Sequence, residues 1–82
     1  MYYIFAFRSR HESMNFFDCI TSHSVLGKII STPRSISVGC GLSIKVAVRD
    51  IDRTLEILGE SEYSTFLGLF YFNGEHLERV RS

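Results

Sequence analysis

The chain has 82 residues and a formal net charge of zero, and 45% of its residues are hydrophobic. This length leaves room for one domain with a small core. The balanced charge argues against nucleic acid as a main partner, because that binding relies on clustered cationic charge. No apolar span reaches transmembrane length and no charged leader precedes the apolar start, so we expect a cytoplasmic protein without a membrane partner. Its two cysteines are then expected to be free thiols.

The first part of the chain predicts a strand, a helix and a second strand. Residues 2–8 are apolar on both faces, which is typical of a central strand. Ser9 is a candidate N-cap, and Glu12 follows three residues later as in a capping box. A helix is therefore expected over about residues 10–23. Residues 25–31 contain a pair of isoleucines and predict the second strand.

The second part of the chain predicts a strand, a helix and a final strand. Residues 42–49 alternate between apolar and polar side chains, which is the clearest one-sided strand pattern in the sequence. Asp50 or Asp52 is expected to cap a second helix, which ends at Gly59. Residues 63–72 predict a fourth strand that is again apolar on both faces.

The resulting order βαββαβ predicts an α+β fold, a ferredoxin-like two-layer sandwich. Its four-stranded antiparallel sheet would have the order 4-1-3-2, with both helices on one face. We assign residues 1–72 to this single domain and residues 73–82 to a polar C-terminal tail. In this topology the end of the first strand, the start of the first helix and the loop between strands two and three meet at one pole. The turn between the second helix and the fourth strand, with Glu60 and Glu62, lies at the same pole.

That loop, residues 32–41, is longer than the roughly two to five residues that a hairpin needs, and it holds Cys40 between Gly39 and Gly41. The topology brings Arg8 and the free N–H groups of the first helical turn to the same pole. Both favour a thiolate over a thiol, and the thiolate is the nucleophile. Cys40 is therefore a candidate acceptor of a sulfur or selenium atom. On the residues alone, a thiol tucked under a tight turn explains the Gly-Cys-Gly run equally well.

The segment STPRSISVGCGLSIKV, with the opening YYIFAFRSRHESM, resembles the family described as putative selenium/sulfur (Se/S) carrier protein-like. These are small bacterial proteins with the pattern T-P-R-x-I-S-x-x-C-G. The positions that match it are Thr32, Pro33, Arg34, Ile36, Ser37, Cys40 and Gly41. His11 falls on a Thr/Ser-His pair that recurs near the family's first helix, whereas Gly39 stands where the family often has Ser. The resemblance covers about residues 2–72 and implies a thiol carrier of selenium metabolism, with sulfur or selenium donor and acceptor proteins as partners.

Three residues are candidates for tuning the acceptor thiol, namely Arg8, Arg34 and His11. Arg34 could bind an anionic group on a partner, and His11 could exchange a proton with the thiol. Each also has an ordinary alternative as a solvated side chain. Cys19 and His23 are spaced four residues apart on the first helix, but two ligands fall short of the three or four that zinc sites require. No metal and no cofactor is therefore expected.

Nine of the eleven aromatic residues lie on the first and fourth predicted strands, which are neighbours in the sheet. Since the helices cover only one face, part of this set is expected to face outward and to form an interface. The set assigned to that interface is Tyr3, Phe5, Phe7, Phe66, Phe70 and Phe72, although the alternation is compatible with the opposite set. We expect a face-to-face homodimer or a docking surface, unless the C-terminal tail covers the face.

Two functions follow from these observations. The first is a cytoplasmic sulfur or selenium carrier that uses Cys40, and a carrier or accessory protein is favoured over a self-sufficient enzyme because the carried atom performs the next step. The second is a non-catalytic interaction module that dimerises or docks through its aromatic face, in which Cys40 is incidental.

Overall fold

The computed structural model describes residues 1–39 and 41–81, which form an α+β fold. The elements are β1 (Tyr2–Phe7), α1 (Arg10–Ser22), β2 (Gly27–Ser31), β3 (Leu42–Ala47), a 3₁₀ turn (Val48–Asp50), α2 (Ile51–Gly59), β4 (Phe66–Phe72) and β5 (Leu77–Arg81). The helices and the first four strands follow the predicted order βαββαβ. At the start of α1, the Ser9 side chain accepts a hydrogen bond from the Glu12 N–H at 3.2 Å, which confirms the predicted N-cap. The predicted capping box is wrong, because the Ser9 N–H donates to the Thr65 hydroxyl at 3.2 Å and the Glu12 carboxylate binds residues 64 and 65.

The sheet has five antiparallel strands in the order β2-β3-β1-β4-β5, so the prediction of a four-stranded sheet is wrong. β5 is added at the edge beside β4, and the other four strands lie in the predicted order 4-1-3-2. The residues expected to form a polar tail contribute the extra strand, since Leu77 pairs with Phe72 and Arg79 pairs with Phe70. The Asn73 side-chain oxygen accepts hydrogen bonds from two backbone N–H groups of the turn that leads into β5. A short edge strand rich in charge has little hydrophobic signal, which is why the sequence pattern did not indicate it.

Both helices pack on the same face of the sheet. We call this side of the sheet the helix-covered face. The residues buried between it and the helices are Phe5, Phe7, Phe16, Ile20, Val25, Ile44, Val46, Ile57, Leu58 and Leu69. The rings of Phe5 and Phe7 each lie 5.3 Å from the ring of Phe16, which joins α1 to the central strand. No helix of the described residues is long and apolar enough to cross a membrane.

The interface assigned to the aromatic residues needs correction, because Phe5 and Phe7 are completely buried beneath the helices. Tyr3 and Phe66 also pack against that core. Successive side chains of a strand point to opposite faces, so the other face of the central strands carries Tyr2, Ile4, Ala6, Phe70 and Phe72, and we call it the helix-free face. Only Phe70 and Phe72 of the assigned set lie there. The sequence pattern of β1 and β4 could not show which set of aromatic residues faces the helices, since the residues on both faces of these strands are apolar.

Candidate functional site at the loop between β2 and β3

The loop formed by residues 32–41 is closed at its base by hydrogen bonds. The Thr32 N–H donates to the Gly41 carbonyl oxygen at 3.1 Å, which continues the ladder between β2 and β3. The Thr32 hydroxyl lies 2.7 Å from the Ser43 hydroxyl, and both residues are buried. Because a buried hydroxyl needs a hydrogen-bond partner, each of these residues satisfies the other. Thr32, which the family resemblance singled out, thus has a structural role at the base of the loop.

The first half of the loop folds into a single turn over the helix-free face. The Pro33 carbonyl oxygen accepts hydrogen bonds from the N–H groups of Ile36 and Ser37, at 2.9 and 3.1 Å. Pro33 begins this turn with its φ fixed by the ring. The Ile36 side chain packs against the apolar cluster of the helix-free face. Arg34 stands on the turn with its side chain exposed, so it is available to an anion from solution.

The second half of the loop leads out to solvent. Val38 has an exposed fraction of 84%, and Gly39 is also exposed. The Gly39 N–H donates to the Ser37 hydroxyl at 3.3 Å, which is the one contact that orders this part of the loop among the described residues. Cys40, the predicted acceptor thiol, lies outside the described residues, and its role stays a prediction.

The two glycines beside Cys40 have different surroundings. A Cβ atom added at Gly41 would overlap the Phe7 carbonyl oxygen and would lie 3.3 Å from the Thr32 hydroxyl. Only a residue without a side chain permits this close approach to the end of β1. At Gly39 the nearest atom to such a Cβ is the Ser37 hydroxyl at 3.7 Å, which is ordinary contact. Packing therefore requires glycine at position 41 and leaves position 39 open.

The first turn of α1 is fixed against the strand that follows the loop. The Ser13 hydroxyl donates to the Leu42 carbonyl oxygen at 2.7 Å, with the Ser9 carbonyl oxygen 3.0 Å away. Ser13 is completely buried. The sequence analysis gave Ser13 no role, although a serine on the buried side of a helix is a signal for such a contact. This contact brings the start of α1 and the end of the loop to one pole, as the topology predicted.

The three residues predicted to tune the thiol, Arg8, Arg34 and His11, all have exposed side chains. Arg8 follows β1 directly, and its backbone N–H donates to the Thr65 carbonyl oxygen at 2.8 Å. Its carbonyl oxygen lies 3.4 Å from the position of a Cβ at Gly41, which places the Arg8 backbone beside the end of the loop. His11 lies in the first turn of α1 and is exposed. Within the described residues, Arg8, Arg34 and His11 have no carboxylate at ion-pair distance, so these side chains face solvent.

Glu12 is the acidic residue of the same helical turn, and its carboxylate is held by the turn before β4. It accepts hydrogen bonds from the N–H groups of Ser64 and Thr65, at 3.1 and 2.8 Å, and from both hydroxyl groups of these residues. The hydrogen bonds from Thr65 are the main reason that the pKa of Glu12 lies below its ordinary value of 4.5. Glu12 thus ties the start of α1 to the start of β4.

The remaining cysteine and histidine candidates form no metal site among the residues that the structure describes. Cys19 is partly buried on α1 beside Tyr63, and burial together with this neighbouring thiol raises the pKa of Tyr63. The His23 Nδ1 atom lies 2.9 Å from the Cys19 carbonyl oxygen, at the end of the helix. The contact of His23 with Cys19 is therefore made through the backbone.

Together these features define a small α+β domain in which the loop between β2 and β3 is fixed at its base and ends beside the start of α1. A family model described as putative Se/S carrier protein-like matches residues 2–66, and the chain belongs to this family. The match includes Cys40 and ends at the first residue of β4, so β5 lies beyond it. Neither the curated proteins nor the solved structures gave a significant match.

Proposed function

We propose that the chain carries sulfur or selenium on Cys40, as one member of a relay between a donor protein and an acceptor protein. The observation that carries this proposal is the membership of the family over residues 2–66, a range that includes the whole T-P-R-x-I-S-x-x-C-G pattern. A carrier of this family works with donor and acceptor proteins in general. We place the relay in the cytoplasm, where thiols are kept reduced.

The loading step is a transfer between two sulfur atoms. The Cys40 thiolate attacks the terminal sulfur of a donor's cysteine persulfide, and the S–S bond of the donor breaks. The new S–S bond joins Cys40 to the transferred sulfur, which keeps its proton, while the donor leaves as a thiolate. A donor that carries selenium in the terminal position would form an S–Se bond in the same way. Neither route needs an outside oxidant or reductant, since one bond forms as an equivalent bond breaks.

The surroundings of the loop support the formation of a thiolate. Arg8 and Arg34 have exposed guanidinium groups, and the N–H groups at the start of α1 add the positive end of a helix dipole. Cationic groups and helix N-termini stabilise a thiolate relative to a thiol. In this proposal Arg8 and Arg34 are positioning residues that act through charge, and His11 is a proton donor or acceptor in the same helical turn.

Intact-mass spectrometry after exposure to a cysteine desulfurase and free cysteine tests the proposal. The wild-type chain is expected to gain the mass of one sulfur atom, and the Cys19→Ser variant should gain the same mass. The Cys40→Ser variant should gain none. Cys19 is the matched control because it is the second thiol of the chain and packs on α1, away from the loop. Loading of the Cys40→Ser variant, or no loading of any variant, contradicts the proposed function.

The second candidate is a non-catalytic interaction module that docks or dimerises through the helix-free face. The observation that favours it is an aromatic pair on that face, with the rings of Tyr2 and Phe72 at 5.1 Å, both partly exposed. In that case Cys40→Ser would leave every interaction of the chain unchanged, and the mass experiment would give no adduct while a complex or dimer persists in sedimentation.

A further inference from the structure

A row of five residues crosses the helix-free face from one edge of the sheet to the other. The register places Lys28 of β2 opposite Lys45 of β3, and Lys45 opposite Ile4 of β1. Ile4 in turn lies opposite Phe70 of β4, and Phe70 lies opposite Arg79 of β5. With strands about 4.8 Å apart, the row spans roughly 19 Å. It has an apolar centre with a cationic group at each end.

The charges at the ends of this row are not balanced within the molecule. Lys28 and Lys45 are direct cross-strand partners, and like charges in that arrangement repel each other. Among the described residues the ion pair is between His76 and Glu75, so neither lysine nor Arg79 is paired with a carboxylate. The other strand residues of this face are Tyr2, Ala6, Ile30, Ser43, Ala47, Leu67, Gly68, Phe72 and Leu77, and none of them is acidic.

The formal net charge of zero thus conceals a segregation of charge. The acidic residues Asp52, Glu56, Glu60 and Glu62 are exposed on α2 and the turn that follows it, in the helical layer on the other side of the sheet. The helix-free face keeps the cations without a compensating group. An uncompensated cationic surface favours a ligand or partner with negative charge.

The side chains over the aromatic rings argue against single-stranded nucleic acid as that partner. Bases bind such surfaces by stacking on free aromatic faces. Here the Lys45 ammonium lies 4.1 Å from the centre of the Tyr2 ring, and the Arg79 guanidinium lies 4.8 Å from the centre of the Phe70 ring. Phe70 is only 6% exposed. The cations lie where a base would stack and present their charged groups to solvent.

A second copy of the chain is also a poor fit. A face-to-face dimer would bring two sets of cations together, and the described strand residues of this face offer no carboxylate to pair with them. We propose that the helix-free face docks a partner protein that presents carboxylates on both sides of an apolar centre. Arg79 suits a carboxylate through its planar fork, although one of its NH groups already donates to the Leu67 carbonyl oxygen at 3.0 Å.

This docking surface adjoins the cysteine-bearing loop, because Ile36 of the loop packs against the apolar cluster that contains Ile4, Ala6 and Phe70. A protein seated on the face would therefore be next to residues 32–41. The inference rests on the proposed function in one respect: the docked protein is taken to be the donor or the acceptor of the relay.

Fluorescence anisotropy with a defined probe tests the docking surface. The probe is a short fluorescein-labelled peptide with glutamates around a central pair of leucines, and a glutamine version of it serves as the uncharged control. We expect the wild-type chain to bind the glutamate peptide and to lose affinity as salt is added. Lys28→Glu and Arg79→Glu should each weaken binding at least about fivefold. Arg53→Glu, an equal change of charge at an exposed position on α2, should stay within about twofold.

Lys28→Glu also gives a readout that a damaged fold would not give. It replaces a repelling cross-strand pair by an attracting one, so the melting temperature of the variant should rise by about 1–5 °C while its affinity for the peptide falls. A Lys28→Glu or Arg79→Glu variant that binds the peptide as well as the wild type overturns the proposal. So does an oligouridylate that binds more tightly than the peptide, or a dimer in sedimentation that Lys28→Glu dissociates.

The peptide assay does not involve Cys40 and is repeated with Cys40→Ser, which should bind as the wild type does. A chain that fails to accept sulfur can therefore still bind the peptide, and a chain that fails to bind the peptide can still accept sulfur, so the two proposals are tested separately. If both proposals are right, Lys28→Glu slows loading from the desulfurase but leaves loading from inorganic polysulfide unchanged. Equal loading from the desulfurase in wild type and variant overturns the link between the docking surface and the relay.

Discussion

The two faces of the sheet are equally apolar at their centre but are covered in different ways. Phe5 is completely buried beneath the two helices. Ile4 and Phe70 on the helix-free face are nearly as well buried, at 1% and 6% exposed, yet no helix covers them. Long side chains lie over that face, among them Lys45 and Arg79. A partner with carboxylates can pair with these solvated groups where they lie, whereas it could reach Phe5 only if the helices left the sheet, so low exposure has a different meaning on the two faces.

The largest expected difference between the faces is in the cost of removing a ring. Phe5→Ala should lower the free energy of unfolding by about 3–5 kcal/mol, because it opens a cavity between the sheet and both helices. Tyr2→Ala on the helix-free face should cost less than about half of that, since its ring is partly exposed. Urea denaturation followed by circular dichroism measures both values. Equal losses of unfolding free energy in the two variants would contradict the conclusion that the helices bury one face more firmly than side chains bury the other.

The loop between β2 and β3 packs against the helix-free face through Ile36, and the absence of a side chain at Gly41 lets the loop lie close to the end of β1. Gly41→Ala should cost about 1–3 kcal/mol, because the added Cβ overlaps the Phe7 carbonyl oxygen and the backbone must shift. Gly39→Ala is the matched control. Its Cβ meets no atom closer than 3.7 Å, so its stability should equal or slightly exceed that of the wild type. A Gly41→Ala variant as stable as Gly39→Ala would show that the loop base does not need this contact.

The hydrogen bond between the Thr32 and Ser43 hydroxyls at the base of the loop can be tested by a double-mutant cycle. Thr32→Val should cost about 1–3 kcal/mol, since it leaves the buried Ser43 hydroxyl without its partner. Ser43→Ala added to Thr32→Val should cost less than the sum of the single changes, because the second change removes the unsatisfied group. Strict additivity in chemical denaturation would argue that the two hydroxyls do not interact.

A smaller effect is expected on the helix-covered side, where Glu12 joins α1 to the turn before β4. Its pKa in the folded chain lies below the ordinary value of 4.5, so the ionised carboxylate stabilises the fold above that pH. This contribution is lost as the pH falls through the folded-state pKa. Melting curves should show Glu12→Gln to be less stable than the wild type at neutral pH, with the difference shrinking as the pH falls below 4.5. Glu56→Gln, at an exposed position on α2, is the matched control and should leave the stability at neutral pH within about 0.5 kcal/mol of the wild type.

Local chemistry explains which parts of the fold could be predicted. The Ser9 cap depends on residues three positions apart and was identified correctly. β5 was missed because its alternating charges resemble a solvated tail, and only its pairing with β4 reveals it. The orientation of β1 was left open by its own pattern. The pairing of β1 with β3 decides it, because Lys45 points to the solvent side of β3 and lies opposite Ile4. That register depends on residues far apart in the sequence and could not be predicted locally.

The candidate site likewise has parts that the sequence predicts and parts that only the structure shows. The meeting of Arg8, the start of α1 and the loop at one pole followed from topology and is confirmed by the contacts of Gly41 and Ser13. The roles of Thr32 and Gly41 could not be read locally, because their partners lie on other strands. Cys40 lies outside the described residues, so its chemistry stays a prediction that the family membership supports.

A single-turnover relay tests the central claim most directly, since a carrier must release the atom as well as accept it. The chain is loaded with isotopically labelled sulfur on Cys40, separated from its donor and mixed with reduced glutathione. We predict that the label appears in glutathione persulfide while the chain returns to its unmodified mass, because the glutathione thiolate attacks the terminal sulfur and Cys40 leaves as a thiolate. Recovery of the label as free sulfide, with glutathione bound to the chain, would contradict the account.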